Sequence, residues 1–268
     1  MNQPISLKAF FAFKRPPFPP ACPPTPLFRS QTIEAALRQA ANALQSRLHL
    51  LITAPPGLGK SCLCRLLQEE LNPRDFRCVY LVGQASGTSD FLQNLAEALG
   101  LESSFRRGRA AQLLTAGLQK FAASSAPHPV LILDEAQQLS FETLELLRLI
   151  TENQAATLLS LVLAGTDGLR RLLARPALSA LSGRLVVRLY LAPLDLDQTA
   201  QFIEHAFTTV GMPNIIAPSA LAPLHAAAAG SPRQIAALLT LAMHRALDQR
   251  SKMLTDEIVQ EVIDANSR

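Results

Sequence analysis

The 268-residue chain has no tryptophan, two tyrosines and four cysteines, and its basic residues include only five lysines: Lys8, Lys14, Lys60, Lys120 and Lys252. The cysteines (Cys22, Cys62, Cys64 and Cys78) match no zinc spacing. Cys62 and Cys64, two apart on a helix, do not face each other, so the four read as small buried side chains. No uninterrupted apolar run reaches the roughly 18 residues of a membrane span. The uncharged stretch 215–232 is interrupted by alanine, serine and proline. The amino terminus also lacks the basic, apolar, small-residue order of a signal peptide. The expectation is a cytoplasmic protein with no membrane partner. Scarce lysine leaves arginine to supply the net charge of +4, with a pI near 9.1. That balance allows a nucleic-acid partner without requiring one. What is abundant is apolar residue: 49% of the chain, ample for one large or two small packed domains.

The chain is organised around Ala54-Pro55-Pro56-Gly57-Leu58-Gly59-Lys60-Ser61, which follows the apolar run Leu50-Leu51-Ile52. Strand, glycine loop and helix in that order fit a phosphate-binding loop. Gly57 and Gly59 let backbone N–H groups turn inward around phosphate oxygens with no side chain in the way. Residues Pro55, Pro56, Gly57, Leu58, Gly59, Lys60, Ser61 and Cys62 would then contact the nucleotide. Lys60 holds the β- and γ-phosphates of ATP, and Ser61 ligates Mg²⁺ where the helix dipole also favours an anion. Ala54 stands where the first glycine of this pattern is usual.

The next apolar run, Val130-Leu131-Ile132-Leu133, passes directly into Asp134-Glu135-Ala136-Gln137. A buried parallel strand explains the run, and its C-terminal end is where ligands bind in open α/β sheets. Asp134 is placed to hold Mg²⁺ through water, and Glu135 to act as general base on the attacking water. An acidic N-cap for the following helix would account for one acid but not for the pair.

Around these motifs the pattern alternates. Strands are expected at 49–53, 77–82, 130–134, 158–164 and 186–191, and helices at 32–45, after the loop as far as Pro73, and at 90–99, 110–122 and 140–152. This spacing indicates a parallel sheet covered on both sides. From Asp195 onward only helices are expected, at 195–210, 219–229, 232–249 and 255–265. Gly230-Ser231-Pro232-Arg233 supplies a C′ glycine, an N-cap and a proline at N1, fixing Arg233 in a first turn. Residues 1–30 hold Phe10, Phe11, Phe13, Phe18 and Phe28 among prolines that exclude a helix. Rings of this kind would be wasted in water, so the segment is expected to lie over the main domain. Arg106, Arg107 and Arg109 precede the helix at 110–122, and Arg170, Arg171 and Arg175 follow the fourth strand. Both groups are candidates for phosphate contacts.

Taken together these residues resemble the AAA+ ATPases, and within them the ExeA-type secretion ATPases and the transposition helpers of the TniB, TnsC and MuB kind. The segments Phe11 to Phe18, Leu181 to Leu185 and Leu191 to Leu194 are similar to that group. The resemblance implies an α/β fold: a P-loop AAA+ three-layer αβα domain with a five-stranded parallel sheet at 31–194 and a small all-helical lid at 195–268, with segment 1–30 packed on the core. It also implies sensor 1 at Thr166, an arginine finger at Arg184 and sensor 2 at Arg233. Asparagine is the commoner sensor 1, and histidine is frequent where Gln137 stands.

Three functions follow from these readings. The first is an ATP-hydrolysing homo-oligomer that assembles on double-stranded DNA and presents a target site to a transposase or other client. The second is an accessory ATPase of secretion, for which the resemblance leads one to expect a membrane segment and an envelope-binding region beyond the lid. The third is a nucleotide-binding scaffold with little hydrolysis.

Overall fold

The computed structural model describes residues 6–19, 27–84, 87–151 and 157–266. Along the chain, α1 (Leu7–Phe11) and α2 (Gln31–Gln45) precede β1 (Leu50–Thr53). They are followed by α3 (Lys60–Glu70), β2 (Phe76–Val82), α4 (Thr88–Ala98), α5 (Arg107–Ala123) and β3 (His128–Asp134). Next come α6 (Phe141–Thr151), β4 (Ser160–Gly165), α7 (Asp167–Leu173), α8 (Ser179–Arg184) and β5 (Val187–Tyr190). The chain continues through α9 (Leu196–Thr209), α10 (Leu221–Ala228), α11 (Pro232–Asp248) and α12 (Asp256–Asn266). No described helix is long and apolar enough to cross a membrane. Two compact units result. A sheet unit comprises Gln31–Pro56 and Lys60–Leu191; a helical unit groups Gly57–Gly59 and Ala192–Arg268 with the amino-terminal residues through Ser30.

The sheet unit carries five parallel strands in the order β2-β3-β4-β1-β5. Strands β1 and β4 are buried along their whole length and β3 from its second residue, which is why they read as near-continuous apolar runs. The edge strands β2 and β5 expose alternate or several positions. Helix α3 packs on β3 and β4, and α5 packs on β3. Thus β4 lies between the strand that leads into the glycine loop and the strand that ends at Asp134. The loop and the acids are brought to one edge by this order, at the C-terminal ends of the strands.

The opposite edge holds two histidines in neutral form. His49, just before β1, is buried and accepts a hydrogen bond at Nδ1 from the Leu161 N–H at 3.0 Å. Its pKa is lowered to about 4, first by burial and then by the positive charge of Arg184. His128, at the start of β3, pairs through Nε2 with Ser160 Oγ at 3.0 Å. Burial, then Arg47 and His49, lower its pKa to about 4 as well. An unfolded histidine titrates near 6.5, so between about pH 6.5 and 4 the unfolded chain binds protons that the folded chain refuses. Stability is therefore complete above pH 6.5 and is lost as the pH falls towards 4. We expect the melting temperature to drop by several degrees between pH 7 and pH 5, a window in which few other side chains titrate. A melting temperature that stays level across that window would show that these imidazoles are not held neutral.

The amino-terminal segment departs from expectation in two ways. Its prolines begin after Lys14-Arg15 in the described part, so Leu7–Phe11 is free to form α1, with Ser6 accepting from the Ala9 N–H as N-cap. Its described rings also group with the helical unit. Phe11 and Phe13 are buried in one cluster with Ile203, Phe207, Leu239 and Val259. Phe18 meets Phe207 edge-on at 5.6 Å, and Phe28 meets Phe202 edge-on at 5.6 Å. Lys252 hydrogen-bonds the Phe10 carbonyl and sits over its ring. The prolines at 20–26 and Cys22 lie outside the described residues. Of the other cysteines, Cys64 is a free buried thiol and Cys78 a free half-buried one. Cys62 is disulfide-bonded, which corrects its reading as a small packed thiol.

Within the helical unit the junction read at 230–233 has the expected geometry. Ala229 and Gly230 are both left-handed, at φ 48° and 67°. A Cβ on Gly230 would fall 2.2 Å from the Leu194 carbonyl oxygen, so only glycine fits. Ser231 caps α11 by accepting from the Gln234 N–H, with Pro232 opening the helix.

Candidate nucleotide site

In the sheet unit the site begins where β1 ends. Lys60, the first residue of α3, is 5% exposed, and its Nζ donates to the carbonyls of Ala54 at 3.2 Å and Pro55 at 3.3 Å. A buried ammonium whose partners among the described residues are carbonyls is an expensive arrangement unless an anion completes it. Ser61 follows in the first turn of α3, half-buried. One turn on, Cys64 feels both charges of the site: burial and then Asp134 push its thiol up, while Lys60 opposes them.

Asp134 closes β3 and is 2% exposed. Both of its oxygens have partners: Oδ1 accepts from the Glu135 N–H at 2.9 Å and Oδ2 from the Tyr80 hydroxyl at 2.7 Å. Tyr80 lies on β2 opposite Ile132, so it shares a face with Asp134 and reaches it diagonally. Burial and this hydrogen bond to Asp134 hold the Tyr80 proton on, raising its pKa.

Glu135 has left-handed backbone, φ 52° and ψ 36°, which costs a residue other than glycine of order 1 kcal/mol or more. Its neighbour across the edge is Gly83, whose N–H donates to the Asp134 carbonyl at 2.6 Å. A Cβ on Gly83 would lie 2.5 Å from the Glu135 carbonyl oxygen. Glycine is thus required at the end of β2 for Glu135 to occupy its place. The Glu135 side chain makes no capping bond. Its Oε2 instead accepts from Gln137 Nε2 at 2.6 Å.

Thr166, after β4, is half-buried and caps α7 by accepting from the Gly168 N–H at 3.3 Å. Its own N–H donates to Gln137 Oε1 at 3.2 Å. Thr166 is therefore in the same network as Glu135, through Gln137. Arg184 is not. As the last residue of α8 it donates from Nη1 to the Thr151 carbonyl at 2.5 Å, and its charge acts on His49 at the far edge of the sheet.

Gly57, Leu58 and Gly59 group with the helical unit. Gly57 and Gly59 are left-handed at φ 86° and 90°. The Arg233 N–H points to the Gly57 carbonyl at 3.4 Å, and a Cβ on Gly57 would meet Ser231 Oγ at 2.9 Å. Leu58 is buried, Pro55 half-buried and Pro56 exposed.

Among the described residues no group of three or more His, Cys, Asp and Glu side chains could hold a metal ion unaided. One serine hydroxyl and one buried carboxylate suit Mg²⁺, which keeps several waters and takes its other ligands from phosphate. The donor set fits a magnesium nucleotide.

The arginine triplet is placed differently from its expected position ahead of a helix. Arg106 is the N-cap of α5, and Arg107 and Arg109 lie in its first turn, with no acid among them. All three are exposed.

Residues 42–173 match the model of a family described as AAA domain. The match falls within the sheet unit apart from Gly57–Gly59. The chain is similar to the Orc1 protein of Aeropyrum pernix, solved in complex with DNA, at 22% identity and TM-score 0.69, covering 93% of this chain and 68% of that one. It is also similar to Cdc6p of Pyrobaculum aerophilum, at 18% identity and TM-score 0.69 over 89% and 69% of the two chains. RuvB of Thermotoga maritima, a Holliday junction branch migration motor, gives 20% identity and TM-score 0.61 over 89% and 70%. At these identities the likeness is one of fold, and the AAA+ fold expected from the motifs is the one found. No curated protein matches the sequence.

Sequence reasoning assigned no role to Tyr80, Gly83, Gln137 and Gly165. Tyr80 carried a signal, as one of two tyrosines in the chain and the polar-tipped residue of an apolar strand. The two glycines and Gln137 act through close approach across strands, which no spacing in the sequence records.

Proposed function

We propose that this protein binds ATP with Mg²⁺ and hydrolyses it, and that it does so assembled on double-stranded DNA as a nucleotide-dependent switch. The observation that carries the reading is the buried Lys60 ammonium, held among the described residues by two carbonyls, at the edge where Asp134 is buried and Glu135 is strained. Pro55, Pro56, Gly57, Leu58, Gly59, Lys60, Ser61 and Cys62 receive the phosphates, with Ser61 and Asp134 holding the metal. Mg²⁺ supplies charge neutralisation at the β- and γ-phosphates. Glu135 takes a proton from water as the water oxygen attacks the γ-phosphorus. The bond to the β-phosphate oxygen breaks, and ADP and phosphate leave. Thr166 orients from the sensor position, Arg233 closes on its own subunit's nucleotide, and Arg184 serves a neighbour's.

DNA is supported by the surface at α5. Three arginines at a helix N-terminus oppose the macrodipole and cost stability, so folding does not account for them. Beside them Phe105 is 90% exposed. Arg170 and Arg171 on α7 add a second exposed group, although Arg170 also pairs with Asp167 at 3.3 Å. Orc1, solved with DNA, and RuvB, a branch migration motor, supply the same fold in a DNA setting. The client is a transposase, on the resemblance of the segments at 11–18, 181–185 and 191–194 to the transposition helpers. A recombinase-like reading frame beside the gene would support that role, and a secretion operon would replace it with the accessory-ATPase reading.

The test is fluorescence anisotropy on duplexes of unrelated sequence with a slowly hydrolysed ATP analogue. Affinity should be similar across sequences and fall steeply from 50 to 200 mM salt as released counterions are lost as a driving force. Changing Arg106, Arg107 and Arg109 together to alanine should weaken binding about tenfold or more and flatten the salt slope. Salt-independent affinity, or none with the analogue present, removes the DNA reading.

A further inference from the structure

Two groups that the hydrolysis reading assigns separate roles, Glu135 and Thr166, end on one side chain that it does not use. Gln137 sits in the short turn Ala136–Gln138 that follows β3. Its Nε2 donates to Glu135 Oε2 at 2.6 Å while its Oε1 accepts from the Thr166 N–H at 3.2 Å. The orientation of the amide follows from chemistry: a carboxylate can only accept and a backbone N–H can only donate, so a flipped amide would lose both bonds.

The surroundings leave room for this side chain and little else. A Cβ on Gly165 would lie 2.5 Å from Gln137 Oε1 and 2.8 Å from Leu169 Cδ2, so the end of β4 must be glycine for the amide to reach Thr166. On the other side, the Glu135 backbone is set by its N–H bond to Asp134 Oδ1 and by its close approach to Gly83. Backbone constraint alone leaves the carboxylate several rotations. The bond to Gln137 selects one of them. Thr166 in turn caps α7, which carries Arg170 and Arg171. A shift of the β4–α7 junction would therefore be felt at the Glu135 carboxylate through one amide group.

We propose that Gln137 is a positioning residue that fixes the Glu135 carboxylate and ties its orientation to the β4–α7 junction. This rests on the ATPase reading above. Gln137 need touch neither nucleotide nor water to do so. Removing its polar atoms should lower the rate of the chemical step and leave nucleotide binding intact, because misplacing a general base by a fraction of its reach weakens the transition state alone.

The experiment uses the full chain with Gln137→Leu and Gln137→Met, which keep most of the volume and lose both bonds. We expect kcat to fall about 10- to 100-fold, with KM and the affinity for a fluorescent ATP analogue within about twofold of the parent. Gln137→His, whose neutral ring offers one donor and one acceptor, should recover part of the rate. A second readout needs no turnover. In nucleotide-free protein the side-chain NH₂ resonances of Gln137, identified by their loss in Gln137→Leu, should move when Glu135 is changed to alanine. The proposal is overturned if both apolar variants keep kcat within twofold, if the NH₂ resonances do not respond to Glu135→Ala, or if both variants fail to fold, which would make Gln137 a core residue. An active parent with unaffected variants removes this proposal alone. A parent with no turnover removes the ATPase reading and this proposal with it.

Discussion

Glu135→Gln protein should retain ATP and turn it over about 10²- to 10⁴-fold more slowly, the range that one oriented base is worth. The substitution changes one oxygen to an amide nitrogen and leaves the backbone contacts of Glu135 with Asp134 and Gly83 in place. Binding is therefore unaffected while proton removal is lost. The new amide must also turn its oxygen towards Gln137 Nε2, which leaves its NH₂ facing the position from which a water proton would be taken. Two measurements decide the matter: equilibrium binding of a fluorescent ATP analogue, and phosphate release under saturating ATP. Wild-type phosphate release by the variant would show that another group is the base. Loss of analogue binding would show that Glu135 shapes the phosphate site instead.

The second large effect concerns Arg184. Removing an arginine that meets transition-state charge typically costs about 10³-fold or more, and arginine suits the role because its planar, permanently charged fork meets two phosphate oxygens together. In the single chain Arg184 holds the Thr151 carbonyl and its charge acts on His49, at the edge of the sheet where the strands begin, whereas Asp134 ends β3. A role in hydrolysis calls for a neighbouring subunit, whose phosphate must compete with the Thr151 carbonyl and the other contacts of Arg184. Turnover per subunit should then rise with protein concentration and with added DNA. Lys60→Ala and Arg184→Ala should each be inactive, and mixing them should restore activity, because the first offers its arginine to the sound phosphate loop of the second. Mixing Lys60→Ala with Arg233→Ala should restore none, since Arg233 acts within its own subunit. Identical behaviour of the two mixtures, or turnover per subunit that does not change on dilution, would place Arg184 outside the reaction.

The parts of this protein that were legible in its sequence are those set by short-range chemistry. The glycine loop, the run Val130 to Leu133 ending on two acids, and the Gly230 to Pro232 junction each state their geometry within a few residues, and each was found as read. Three features were not legible in this way. The destination of the amino-terminal rings depends on which of two apolar surfaces is nearer in three dimensions, and both surfaces are rich in leucine and alanine. The position of Arg107 and Arg109 inside α5 reflects weak boundary signals, since the helix opens on Arg106, which makes no side-chain capping bond. The network of Tyr80, Asp134, Glu135, Gln137 and Thr166 joins three strands, and its members become neighbours only once the order β2-β3-β4 is fixed.

The sharing of one apolar cluster by the two ends of the chain sets an order of events during synthesis. Phe11 and Phe13 leave the ribosome first, and their partner Phe207 is made roughly two hundred residues later. At typical elongation rates that is roughly 10 to 40 seconds in which the rings lack Phe207. The sheet unit, contiguous in the chain between them apart from three loop residues, can complete itself in that interval. The leading segment must wait, and any factor that binds exposed aromatic residues on nascent chains has that interval in which to act on it.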